Sequence, residues 1–381
     1  MARKTPRFWQ IVGLSVGWRL ALLVIGLLAS RLLVYEPSFP YARELLGGLA
    51  LPRWFYSWAN FDGVHYLTIA ASGYSAAFTQ AFFPIFPLIL RLLPHYLIGG
   101  LILNLTLATL LVVIFYNLVK LDHSAKIAQW AVVGLLFFPT SFFLGTLYSE
   151  SLFLLLVLVV FWLARQKEWL LAGLLAGIAS ATRVMGVFLW PALLLELWWQ
   201  VKPTSLTSFI KHNLKAIVQI SLSLLGLLAY MLYLWQVFDD PLFFLHVQSE
   251  FGAGRQESLV LFPQVIWRYT KILWTVRPFD WKYFSYVQDL VLSLSTLSAL
   301  LVFFKKIRPS YLFFALLAFF LPPLTGTLSS MPRYLLVCFP LFILLGELWA
   351  KNKVWRYLLM TGSVALLIIN TMLFIQGYWV A

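Results

Sequence analysis

The chain is short of charge. Only 11% of its 381 residues are Asp, Glu, Lys or Arg, against about 25% in an ordinary soluble domain. That excludes a solvated disordered chain and a nucleic-acid-binding domain. It is short of cysteine too: the single thiol, Cys338, sits inside an apolar run, so there is neither a disulfide framework nor a Cys-based metal site. Five histidines with no His-x-x-x-His pair, and no Gly-rich phosphate loop, leave no recognisable zinc or nucleotide motif. Acids are half as many as bases, 14 against 28.

What remains is apolar: 62% hydrophobic and 18% aromatic, with a mean hydropathy of +0.87. At about 20 residues per crossing, apolar runs near 11–34, 97–119, 127–145, 151–164, 169–183, 184–200, 214–237, 286–304, 309–326, 333–350 and 354–377 predict eleven spans. The expected class is therefore an all-α polytopic membrane protein, residues 1–381 forming a single integral-membrane domain. The runs 151–164 and 169–183 are below crossing length, which suits tilted, broken or re-entrant helices.

Charge follows the alternation of the connectors. Sixteen of the 28 cations, among them Arg3, Lys4, Arg7, Lys305, Lys306 and Arg308, fall on the amino-terminal side, and ten of the 14 acids fall opposite. The excess of Lys and Arg in short cytoplasmic loops then predicts an inside amino terminus and an outside carboxyl terminus. Nearly all of the net +14 belongs to the inner side, so the basic balance reports orientation and says little about a ligand. The first run, with Tyr35-Glu36-Pro37 behind it, has the length of a signal anchor and no small-residue cleavage site.

Two outer segments, 35–96 and 238–285, are too long for plain connectors. They are aromatic, with short amphipathic stretches suited to the membrane interface. In the first, Asp62 and His65 are three apart on a helix-compatible run and share a face; Asp62 is either a helix cap or a reactive carboxylate. Phe82-Phe83-Pro84 and Pro87 read as an interfacial entry with the phenylalanines as aromatic anchors. Arg91, between this acidic loop and the second span, is a candidate phosphate ligand. Tyr148 and Ser149 could meet sugar hydroxyls, and Glu150 opens a helix, where the macrodipole favours an acid. Arg183 lies between two apolar runs; it either snorkels outward or faces a cavity or an anionic partner. Arg333 repeats that situation at the tenth span. Asp239-Asp240-Pro241 reads as an ordinary loop.

Taken together and in order, several blocks resemble the PIG-V family, the second mannosyltransferase of GPI-anchor assembly and its prokaryotic relatives. They are Phe61-Asp62-Gly63-Val64-His65-Tyr66 with Gly73-Tyr74, Phe82-Phe83-Pro84-x-x-Pro87, Phe138-Pro139 through Tyr148-Ser149-Glu150-Ser151, and Ala181-Thr182-Arg183-x-x-Gly186. The resemblance covers roughly residues 55–200. In the carboxyl half it reduces to hydropathy and Pro332-Arg333-Tyr334. Phe61 stands where the family commonly has Trp, and Val184-Met185 where it has a polar pair.

The resemblance implies a GT-C fold: an integral glycosyltransferase with interfacial helices in its first outer loop. It implies a polyprenyl-phosphate sugar donor, mannose being the family's sugar, and a lipid-linked or glycan acceptor. Asp62 matches the catalytic acid; His65, Tyr66, Tyr148 and Glu150 are expected to orient that base or touch the acceptor, and Arg91, Arg183 and Arg333 to hold the donor phosphate. Membrane lipids are the other partners, with no nucleic acid. No cofactor is expected, and a divalent cation stays open. A prokaryotic relative would lie in the plasma membrane, a eukaryotic one in the endoplasmic reticulum. Two rival classes accommodate the hydropathy: a transporter or flippase for an anionic lipid-linked substrate, for which no inverted repeat is found, and a structural membrane subunit, which gives no reason for the Asp62–His65 block.

Overall fold

The structure, a computed structural model, describes all residues except 1–7, 38, 40, 41, 252, 253, 257, 279, 280 and 381, and gives no side-chain description for 43, 251 and 281. The expectations for Arg3, Lys4, Arg7, Glu257 and Asp280 lie outside the described residues, as does that for the Arg43 side chain.

Among the described residues every regular element is helical. Six helices are long and apolar enough to cross a membrane: Phe8–Leu32, Tyr96–Lys120, Val184–Val201, Leu206–Phe238, Lys282–Val302 and Lys353–Ile375. A seventh crossing exists if Met331–Val337 and Pro340–Lys351, bent by 81° at their junction, count as one span. The bend falls where Pro340 removes an amide donor, so the helical ladder cannot run through it. The other apolar runs are helical but short. The run 127–145 is helix only over Ala125–Leu136 and then tightens into a 3-10 turn, Ser141–Gly145, past Pro139; 151–164, 169–183 and 309–326 give Glu150–Arg165, Trp169–Ser180 and Pro309–Phe320.

Each long helix divides its apolar residues between two surroundings. Along Phe8–Leu32, Trp18, Leu22 and Ala29 are buried while Leu20, Val24 and Leu28 are exposed, as a helix with protein on one side and hydrocarbon on the other requires. This helix packs on Lys353–Ile375, and Tyr96–Lys120 packs on Glu150–Arg165, which packs on Trp169–Ser180. A few helix starts carry side-chain caps: the Asn352 side chain accepts from the Val354 and Trp355 amides, and Ser205 accepts from Ser208.

The segment 35–96 forms short helices, including Asp62–Ser72 and Ile85–Arg91; 238–285 forms Phe243–His246 and the amphipathic Phe262–Thr275. The latter buries Val265 and Tyr269 while exposing Trp267 and Trp274. Together with the bundle these segments enclose a cavity of about 1170 Å³.

Candidate functional site

Asp62 is the first residue of Asp62–Ser72 and lines the cavity. Its approach is strained. Phe61 has φ 59° and ψ −116°, a conformation costly for a residue with a bulky side chain. Partners on three sides hold it. The Phe61 ring packs on Phe39 (4.6 Å), Trp379 (5.2 Å) and Phe374 (5.7 Å). Asn60 Nδ2 donates to the Phe374 carbonyl at 2.8 Å. The buried Tyr148 hydroxyl donates to the Asn60 carbonyl (2.8 Å) and accepts from the Asp62 amide (3.1 Å). Gly63 allows the close fit behind this turn, since a Cβ there would stand 3.0 Å from Ala59 Cβ and 3.5 Å from the Leu147 carbonyl.

The Asp62 carboxylate faces Arg333, whose Nη1 donates to Oδ2 at 2.6 Å. The charges then continue in alternation. Arg333 Nε lies 3.4 Å from Glu150 Oε1, and that oxygen accepts from Arg183 Nη1 at 2.6 Å. Ser149 completes the row, 3.4 Å from Arg183 Nη1 and 2.9 Å from the Tyr66 hydroxyl. Arg333 also lies over Tyr334 (5.1 Å) and over Phe143 and Tyr148 (each 5.4 Å), a stacking that suits a desolvated guanidinium.

These neighbours set the charge states. Burial alone would push the Asp62 carboxyl up, but Arg333, with His65 and the hydrogen bond, holds it below the ordinary carboxylate value. Burial pulls His65 down despite the pull of Asp62 in the other direction, and its ring stacks on Phe82 at 4.7 Å. Burial raises the Tyr66 and Tyr148 hydroxyls above their usual value. At neutral pH the site therefore presents an ionised Asp62 beside a neutral imidazole.

Asp62, His65, Tyr66, Arg183, Arg333 and Tyr334 all line the cavity, so that Asp62 and Arg333, 271 positions apart, meet in one wall. Arg183 faces this wall, paired with Glu150. Its placement follows from Gly186, where a Cβ would collide with the backbone of Ala179 and Ser180; only glycine lets the turn Val184–Phe188 fold onto the end of Trp169–Ser180. Tyr148 and Glu150 are almost wholly buried behind the wall, so they support Asp62 and the arginines and do not line the cavity. Arg91 is exposed at the end of Ile85–Arg91 and lies outside the cavity wall, separated from the other two arginines. Phe82 and Phe83 are buried cavity walls, Phe83 packing on Tyr230 (4.8 Å) and Phe244 (5.3 Å), where the sequence suggested interfacial anchors. Asp240 serves its loop: one oxygen accepts from the Leu242 amide and the other pairs with His246.

Two features escaped the sequence reading. The strain at Phe61 has no signature, because Phe is not a residue that marks positive φ. Asp289 counts in the sequence as one more outer acid, yet it is buried at the cavity with Tyr269 as a partner. Among the described residues no three His, Cys, Asp or Glu side chains are grouped to hold a metal ion.

Compared with known proteins, the chain matches no family model, no curated protein and no solved structure.

Proposed function

We propose that the protein is an inverting glycosyltransferase that moves a sugar, mannose by resemblance to the PIG-V family, from a polyprenyl phosphate to a hydroxyl of a lipid-linked or glycan acceptor. The bundle is then of the GT-C kind, and the short helices complete an eleven-pass topology with the site on the outer face. The observation that carries this reading is an ionised carboxylate, pinned by a strained turn, facing a cavity beside the buried guanidinium of Arg333 and the partly buried one of Arg183.

The chemistry follows from the pairings. Transfer with inversion needs one carboxylate to take the proton of the acceptor hydroxyl as that oxygen attacks the anomeric carbon and the C–O bond to phosphate breaks. Asp62 is that base. The departing phosphate gains charge and needs fixed cations, which Arg333 and Arg183 supply. With no donor bound, Arg333 is held by Asp62, which lowers the basicity of the carboxylate. A donor phosphate that binds Arg333 shares its charge, so the Asp62 pKa rises when a base is needed. Glu150 keeps both guanidiniums aimed at the wall, and neutral His65 borders the acceptor side.

The test is transfer of radiolabelled mannose from decaprenyl-phosphoryl-mannose to a glycoside by the protein in lipid nanodiscs. Arg183→Ala should raise the donor KM at least tenfold, a charged hydrogen bond being worth about 1.5–3 kcal/mol. An unchanged donor KM removes Arg183 from the phosphate site.

A further inference from the structure

The cavity wall holds a second acid. Asp289, in the third turn of Trp281–Val302, is 3% exposed and lines the cavity. Its Oδ2 accepts from the Tyr269 hydroxyl at 3.2 Å, while Oδ1 is buried with no partner. The Tyr269 hydroxyl also lies 3.3 Å from Thr327 Oγ1, which in turn accepts from the Ser329 amide at 3.1 Å. A buried carboxyl oxygen left without a donor is destabilising, and buried polar atoms in folded proteins are nearly always satisfied. Asp62 has Arg333; among the described residues no cation forms an ion pair with Asp289.

The surroundings say what kind of donor fits. Ser285, one turn before Asp289, lines the cavity and donates to the Trp379 carbonyl at 3.0 Å. Trp379 also lines the cavity and meets Phe61 edge-to-face, and Phe61 leads directly to Asp62. On the other side the segment Thr327–Arg333 leads from Asp289's cluster to the guanidinium that binds Asp62. A carboxyl acceptor beside an aromatic wall, in a cavity whose apolar surface exceeds its polar surface, is the pattern that receives a pyranose, with its C–H face on the ring and its hydroxyl on the acid.

We propose that Asp289, aligned by Tyr269 and Thr327, is a carbohydrate subsite that accepts a hydrogen bond from a sugar-ring hydroxyl. This deepens the glycosyltransferase reading and rests on it for the identity of the ligand. The ring belongs either to the acceptor or to the donor.

Binding separates these cases without requiring turnover. The full chain in nanodiscs is titrated with octyl α-mannoside, with octane-1,2-diol as the ring-free control, and with farnesyl-phosphoryl-mannose. Wild-type protein should bind the glycoside in preference to the diol. Asp289→Asn and Tyr269→Phe, checked by size exclusion for retained fold, should each weaken a mannose-bearing probe about tenfold, one lost hydrogen bond. Weakening of octyl α-mannoside alone assigns the ring to the acceptor; weakening of farnesyl-phosphoryl-mannose alone assigns it to the donor. Wild-type affinity of both variants for both probes, or no preference of the wild type for the glycoside over the diol, overturns the subsite. The parent reading fails differently: if mannose binds through Asp289 but no transfer occurs, the subsite stands and the transferase does not.

Discussion

At the scale of single residues the account turns on the charge of Asp62. Arg333 holds that carboxylate below its ordinary range, so the Asp62 limb of kcat/KM, which reports the free enzyme, should lie below the ordinary carboxylate value. His65 is lowered as well, by burial, so any break of its own lies below the ordinary imidazole value. The acid limb of kcat should lie at higher pH than that of kcat/KM, because a bound phosphate offsets Arg333. A pH–rate profile in buffered nanodiscs checks both; coincident limbs would contradict the sharing of Arg333. The Asp62–His65 pairing was legible in the sequence as a three-residue spacing. The Asp62–Arg333 ion pair was not, because no local pattern announces a partner 271 positions away.

At the scale of elements, the turn before Asp62–Ser72 is the device that positions the Asp62 carboxylate. Phe61 stays at positive φ only because Tyr148, Asn60 and the end of Lys353–Ile375 leave the chain no other course. Tyr148→Phe keeps the ring packing but removes both hydrogen bonds of the hydroxyl. It should lower kcat about tenfold while leaving the donor KM within about twofold, the energy of a buried hydrogen bond being about 1–3 kcal/mol. Unchanged kcat would show that the hydroxyl does not align Asp62, and equal losses in both constants would indicate a structural defect instead. The sequence showed Tyr148 as a candidate sugar contact because its residue type suited one; only burial places it behind the wall. Gly186 was visible as part of a motif, whereas its reason, backbone touching backbone, exists only in the packed chain.

At the scale of the whole molecule, Glu150–Arg165 links two polar clusters. At one end Glu150 pairs with the two arginines of the cavity. At the other, Arg165 makes two hydrogen bonds to Asp122 (2.5 and 2.7 Å), and Glu196 receives two from Arg308 (each 2.7 Å), with Ser310 and Gln200 completing its set. Of the two pairs only Glu196–Arg308 has a buried carboxylate; it fixes its helices relative to one another, and removing the partner of a buried charge costs several kcal/mol. Hydropathy located every apolar run of this bundle. It did not show which runs are long straight helices, because the breaks at Pro139 and Pro340 fall inside apolar text. Nor could composition separate wall from lipid face: Phe82 and Phe83 have the hydropathy of membrane anchors and the position of cavity lining.

The central claim is that Asp62 takes the acceptor proton, and substitution of that carboxylate tests it most directly. Asp62→Asn keeps the size of the side chain and can still occupy the strained turn. In nanodiscs with decaprenyl-phosphoryl-mannose, the variant should elute and melt like the wild type, bind donor with affinity no weaker, and lose mannosyl transfer by roughly 10²–10⁴-fold, the usual contribution of general-base help. Transfer by Asp62→Asn at a rate near that of the wild type would contradict the account.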